Sequence, residues 1–346
     1  MSAHRYPCQT CPHLGASCHG EQALDLSDRC ENTDPDLCWS CQTPCCRFPG
    51  FRDEAIARAG GLELETWPAL PLPPLPRVIP VLKGGGAKGA RNSAWILKGS
   101  YVLRSKGWTK NIDLKERLGI EAGELLGLDW FTHDDDLDRL LLQDPEALAD
   151  AVERMGIDFM IAPNFSTYTD TPPLFNALNL RNRTRYASAV AARGVPVIPD
   201  VSAHYPLHYY RLLSKMRGHE YATFNLQTSR QPTGSEGFTD TLSEMRWTYR
   251  RGGWKMLCVG AWSRIPAILE AWPGAVIRTA KLYQQSEFKK DLQGRKIYGS
   301  TAEAFRENLA ALYRKIEAIE ATRRPQQLTI CGPSDVLPSK QFKPTR

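Results

Sequence analysis

The stretch IDFMIAPNFSTYTDTPPLFNALNLRNRTRYASAVAARGVPVIPD, residues 157–200, decides the fold. It opens on a short apolar run, Ile157 to Ala162, and closes on another, Val195 to Asp200. Both have the length and branching of buried strands. Between them, residues 174–193 carry a helical pattern that stops at Gly194, the residue type that tolerates the left-handed turn ending a helix. A strand, a crossover helix and a second strand form a βαβ unit, which makes the two strands parallel.

The alternation continues on both sides. Further strands are expected at Val78 to Leu82, Ala222 to Leu226, Met256 to Gly260, Val276 to Ala280 and Leu328 to Cys331. Helices are expected at 93–106, 136–154, 207–217, 236–251, 263–272 and 301–323. Seven or eight βα units in about 270 residues favour a (β/α)8-like parallel barrel over an open doubly wound sheet. The expected class is therefore α/β, a (β/α)8-like parallel barrel carrying an N-terminal cysteine-rich metal-binding module. The acidic run Asp134-Asp135-Asp136 reads as the start of a helix, where carboxylates oppose the positive end of the helix dipole.

The chain has 346 residues, 42% of them hydrophobic, enough to bury one large core or two modest ones. Mean hydropathy is −0.40, and no apolar run approaches the roughly 18 residues of a spanning helix. No membrane partner is expected. The N-terminus, MSAHRYPCQTCPHLG, has no apolar stretch resembling a secretion signal. A cytoplasmic location is expected, and with it a reducing environment.

Ten cysteines are present, and eight fall in the first 46 residues: Cys8, Cys11, Cys18, Cys30, Cys38, Cys41, Cys45 and Cys46. Clustered thiols in a reducing compartment point to metal, and eight thiolates suffice for two tetrahedral sites. Zinc is the expected ion; an iron-sulfur cluster is the alternative, because four thiolates satisfy either. Residues 1–60 then form the metal-binding module and 61–80 a proline-rich connector, stiff because proline fixes φ and lacks an amide donor. Residues 81–335 form the barrel-like domain and 336–346 a tail.

Charge alternates along the chain: net −4 over 1–80, +7 over 81–119, −10 over 120–160 and +13 over 161–346. The overall +6 is compatible with a polyanionic partner. In parallel α/β folds ligands bind beyond the carboxyl ends of strands. After the first strand comes Lys83-Gly84-Gly85-Gly86-Ala87-Lys88, expected to lead into a helix near Ser93 and to offer amides and ammonium groups to a phosphate. After later strands come Asn164 and Ser166, then Asp200 and His204, with Arg181 and Arg183 on the intervening helix. Asp200 is the candidate general base or nucleophile, with Asn164, Ser166 and His204 around it. Lys83, Gly84, Gly85, Gly86, Lys88, Arg181 and Arg183 are the candidate phosphate contacts. Trp247, Trp254 and Trp262 lie among arginines, a pattern that can stack bases.

Two resemblances add to this. The block Cys38-x-x-Cys41-x-x-x-Cys45-Cys46 resembles proteins described as having a zinc- or iron-chelating CxxCxxxCC domain, which implies chelation by these thiols. Residues 150–260, through Pro163, Asn164, Ser166, Asn179, Arg181, Arg183, Pro199 and Asp200, resemble domain-of-unknown-function family four-four-one-seven, found in bacteria, archaea and phages and often on mobile elements. That resemblance implies a fold and a phage or mobile-element context, but no reaction.

The expectation is a metal-containing barrel protein that binds a nucleotide or nucleic acid at its strand-end mouth and modifies it. The alternatives are a non-catalytic zinc-dependent nucleic-acid-binding module and an iron-sulfur redox protein. Sequence leaves oligomeric state open.

Overall fold

Val78–Leu82, five residues buried on both faces, form strand β1 of the sheet. The computed structural model describes residues 63–82, 86–104, 113–131, 134–165, 173–201, 212, 215–216, 218–225, 254–259 and 265–322. In chain order β1 is followed by β2 (Ala94–Lys98), α1 (Gly99–Arg104), α2 (Leu114–Leu118), β3 (Leu125–Asp129), α3 (Asp134–Leu141), α4 (Pro145–Arg154) and β4 (Phe159–Ile161). Then come α5 (Pro173–Ala192), β5 (Val197–Ile198), β6 (Tyr221–Asn225), β7 (Lys255–Val259), α6 (Ile265–Ala271), β8 (Val276–Thr279), α7 (Ala280–Glu287) and α8 (Thr301–Ala321).

The eight strands among the described residues belong to one sheet, in the order β5-β4-β3-β2-β1-β8-β7-β6, and every pairing between them is parallel. The two edge strands also meet. Asp200, two residues past β5, bridges to Thr223 of β6, with Thr223 donating to the Pro199 carbonyl at 2.7 Å and Val201 donating to the Thr223 carbonyl at 3.0 Å. The sheet therefore curls back upon itself.

Strand side chains alternate between faces, and here the alternation separates two cores. Ile79, Val81, Ala94, Ile96, Phe159, Ile161, Ile198, Tyr221 and Val276 make one cluster, which fills the concave interior. Val78, Leu82, Trp95, Leu97, Leu126, Leu128, Met160, Ala222 and Ile277 face the helices in the other. The interior is tight at Gly127, where a Cβ would lie 2.3 Å from the Phe159 ring. Glycine gives up strand propensity there to admit the aromatic ring.

Two strands differ from the sequence expectation. The helix expected over 93–106 is strand β2 followed by α1, because Trp95, Ile96 and Leu97 are buried on both faces and show no period-2 signal. Strand β3 was unanticipated; its central Gly127 suppresses the local signal. The helix expected over 136–154 is two, broken where Asp144 caps α4 by accepting from the Glu146 amide and Pro145 opens it. The other expected strands and helices within the described residues occur, with shifted ends. Leu328 to Cys331, the helix at 236–251 and, but for residues 212, 215 and 216, the helix at 207–217 lie outside the described residues.

Residues 63–77 run along the sheet rather than away from it. Glu65 pairs with Arg181 at 2.7 Å, the Trp67 indole donates to the Val197 carbonyl at 3.2 Å, and the Leu75 amide donates to the Tyr221 hydroxyl at 3.0 Å. Val197 and Tyr221 begin their strands, and Leu72 and Leu75 join the interior cluster. This proline-rich strap thus covers the amino-terminal end of the interior. No helix among the described residues is long and apolar enough to cross a membrane.

Candidate functional site

At the opposite, carboxyl end of the strands the interior turns polar. Lys98 ends β2 and is paired in register with Asp129, which ends β3. Arg278 on β8 is paired with the inward-facing Ile79, so its side chain also enters the interior. It crosses beneath β1 and β2 to reach Asp129: the Arg278 Nη2 donates to Asp129 Oδ2, with 1% and 0% of the two side chains exposed. The other carboxylate oxygen accepts from the Phe131 amide at 2.8 Å. The guanidinium carbon lies 5.1 Å from the Phe131 ring centre, and Lys98 Nζ donates to the Phe131 carbonyl at 2.9 Å. Three strands thereby deliver two cations and one carboxylate to one spot.

The arginine is incompletely satisfied. Its Nε and Nη1 are buried and have no hydrogen-bond partner among the described residues. Unpaired buried donors cost roughly 1–3 kcal/mol each set against a paired state, and burial pushes the guanidinium down to about 9. A fold keeps such a group when something else completes it. An oxyanion fits, since a guanidinium presents its donors in a planar fork matching carboxylate or phosphate.

A second buried pair closes the sheet. Asp200 and Arg183 are both fully buried and 3.1 Å apart. Arg183 also donates to the Asp200 carbonyl at 3.1 Å, to Asn164 Oδ1 at 3.2 Å and to the Phe165 carbonyl at 3.0 Å. One guanidinium therefore ties the ends of β4 and β5 at the point where β5 meets β6.

The sequence candidates divide accordingly. Asp200, Asn164 and Arg183 do converge, as one interlocked cluster. Arg181 is buried against Glu65 of the strap. Gly86, in the left-handed region at φ 73°, accepts at its carbonyl from the Tyr283 hydroxyl, and burial, with the Glu287 carboxylate nearby, holds Tyr283 well above the usual phenol range. Lys88 pairs with Glu287 at 3.0 Å. The helix expected to start near Ser93 is replaced by β2, so the glycine loop does not end on a helix N-terminus. Lys83, Gly84, Gly85, Ser166, His204 and the eight N-terminal cysteines lie outside the described residues, as do Trp247 and Trp262; Trp254 is described and is buried in the core. Among the described residues no three His, Cys, Asp or Glu side chains group as a metal site.

Lys98, Asp129 and Arg278 were not singled out from sequence. Missing β2 and β3 hid the first two. The third had a readable signal: a guanidinium inside the run Val276-Ile-Arg-Thr279, where a buried parallel strand would otherwise be apolar.

No family model matches the chain, and no curated protein matches it. Among solved structures, one from Anabaena variabilis, provisionally described as a sugar phosphate isomerase/epimerase, is similar over 66% of this chain and 88% of its own, at 10% identity and a TM-score of 0.34.

Proposed function

We propose that the chain is a (β/α)8-like barrel protein whose strand-end mouth binds a phosphate-bearing ligand, a nucleotide, through Arg278 and Lys98. The observation that carries this is the buried Arg278 guanidinium, whose Nε and Nη1 lack partners among the described residues. An entering phosphate would supply those acceptors in a low-dielectric setting where charge-assisted bonds are strong. Asp129 is the carboxylate next to that ligand, and any proton transfer in the mouth falls to it rather than to Asp200. We further read the eight N-terminal cysteines as ligands of structural zinc, with an iron-sulfur cluster as the alternative occupant.

Calorimetric titration of nucleoside monophosphates tests the binding. Arg278→Lys keeps a cation opposite Asp129 but removes the fork, and it should weaken binding at least tenfold with little change in melting temperature. Equal affinity in the variant would remove Arg278, and this reading, from consideration.

A further inference from the structure

A different surface carries its own chemistry. Between α7 and α8 the chain Phe288-Lys-Lys-Asp-Leu-Gln-Gly-Arg-Lys-Ile-Tyr298 folds into a hairpin. Lys290 and Lys296 face each other across an antiparallel bridge, with Ile297 donating to the Lys289 carbonyl at 2.8 Å and Asp291 to the Arg295 carbonyl at 2.7 Å. The turn is prebuilt. Asp291 accepts from the amides of Gln293 at 2.9 Å and Arg295 at 2.8 Å and pairs with the Arg295 guanidinium at 2.5 Å, contacts that hold its carboxyl below the usual range. Gly294, at φ 94°, takes the left-handed turn position.

The hairpin is also anchored. Leu292 is buried, and the buried Asn308 of α8 donates to the Lys290 carbonyl at 2.9 Å and to Ser286 Oγ at 3.0 Å. What remains outside is polar and aromatic. Lys289, Lys290 and Lys296 are exposed, and among the described residues none is paired with an acid. Phe288 is 65% exposed and Tyr298 92% exposed, one at the foot of each arm. An exposed ring at the foot of each arm beside three ammonium groups that no acid among the described residues neutralises fits a ligand with negative charges spaced between flat faces.

We infer that this hairpin is a single-stranded nucleic-acid contact, with the lysines on phosphates and Phe288 and Tyr298 as stacking platforms. A lipid surface fits less well, because the tip is Gln293-Gly294 and the apolar Leu292 is turned into the core, leaving no apolar group at the tip to insert, while Phe288 and Tyr298 stand at the feet of the arms. The proposal goes beyond the mouth reading and stands independently of it.

Fluorescence anisotropy of a labelled oligothymidylate and a matching RNA with the full chain, across a salt series, tests it. Lys289→Gln/Lys290→Gln/Lys296→Gln should flatten the log-log salt slope by about 2, at roughly 0.7 per phosphate for single strands. Phe288→Ala/Tyr298→Ala should weaken binding about tenfold per ring while leaving the slope unchanged. Melting temperatures confirm folding, and the single variant Lys296→Glu repeats the charge test with least disturbance. Arg278→Lys should lose mononucleotide affinity yet leave the oligonucleotide slope as in the parent, which separates the two sites. An unchanged slope in the lysine variants, no oligonucleotide binding by the parent, or lysine-dependent binding to phosphatidylserine vesicles instead would overturn the proposal.

Discussion

Arg278 and Asp129 show how much depends on a single buried pair. Removing one partner of such a pair strands the other's charge at a cost of about 3–5 kcal/mol, whereas replacing both with apolar side chains is often neutral. Asp129→Ala should therefore destabilise by that amount in urea denaturation, and Asp129→Leu/Arg278→Met should recover most of it. If both variants lose the same stability, the pair is not coupled as described. Gly127 makes a separate residue-scale case: with the Phe159 ring 2.3 Å from where a Cβ would stand, Gly127→Ala should cost about 1–3 kcal/mol through overpacking. An unaltered denaturation midpoint would show that the ring can move aside.

At the scale of elements, the strap is the piece whose role sequence reading understated. Its five prolines between Pro68 and Pro76 announced stiffness and its Leu and Trp content a course along the next domain, while the groups it docks on lie more than a hundred residues away, which no local pattern reports. Trp67 packs 5.4 Å from the His219 ring, and burial lowers the His219 pKa against an opposing hydrogen bond with the Trp67 main chain. The unfolded chain then binds a proton more readily than the folded one, so stability falls as pH drops below the ordinary histidine value of about 6.5 and levels off once the folded group is also protonated. Melting curves from pH 7.5 to 5 should show this decline, and His219→Gln should flatten it; a decline of equal size in the variant would locate the cause elsewhere. The βαβ unit at 157–200 was legible because its strands are β-branched, its helix is long and Gly194 ends it. Strands β2 and β3 were not, since Trp95 to Leu97 are apolar without alternation and Gly127 sits mid-strand. Losing those two strands also hid Lys98 and Asp129, whereas Asp200, Asn164 and Arg183 were found together and their mutual burial was not.

The whole molecule has two ends with opposite character. Leu72 and Leu75 close the interior at the amino-terminal ends of the strands, and Lys98, Asp129 and Arg278 make it polar at the carboxyl ends, the side on which parallel α/β folds place their ligands. Ahead of both lies the cysteine-rich stretch, for which mass spectrometry of anaerobically purified protein should find about two zinc ions per chain; iron with acid-labile sulfide would favour the cluster instead. Whether the polar end holds a phosphate is decided by a crystal structure of the full chain with a nucleoside monophosphate. Phosphate oxygens within hydrogen-bond distance of Arg278 Nε and Nη1 are the predicted result. A ligand bound elsewhere, with those two nitrogens occupied by a side chain of the protein itself, would contradict it.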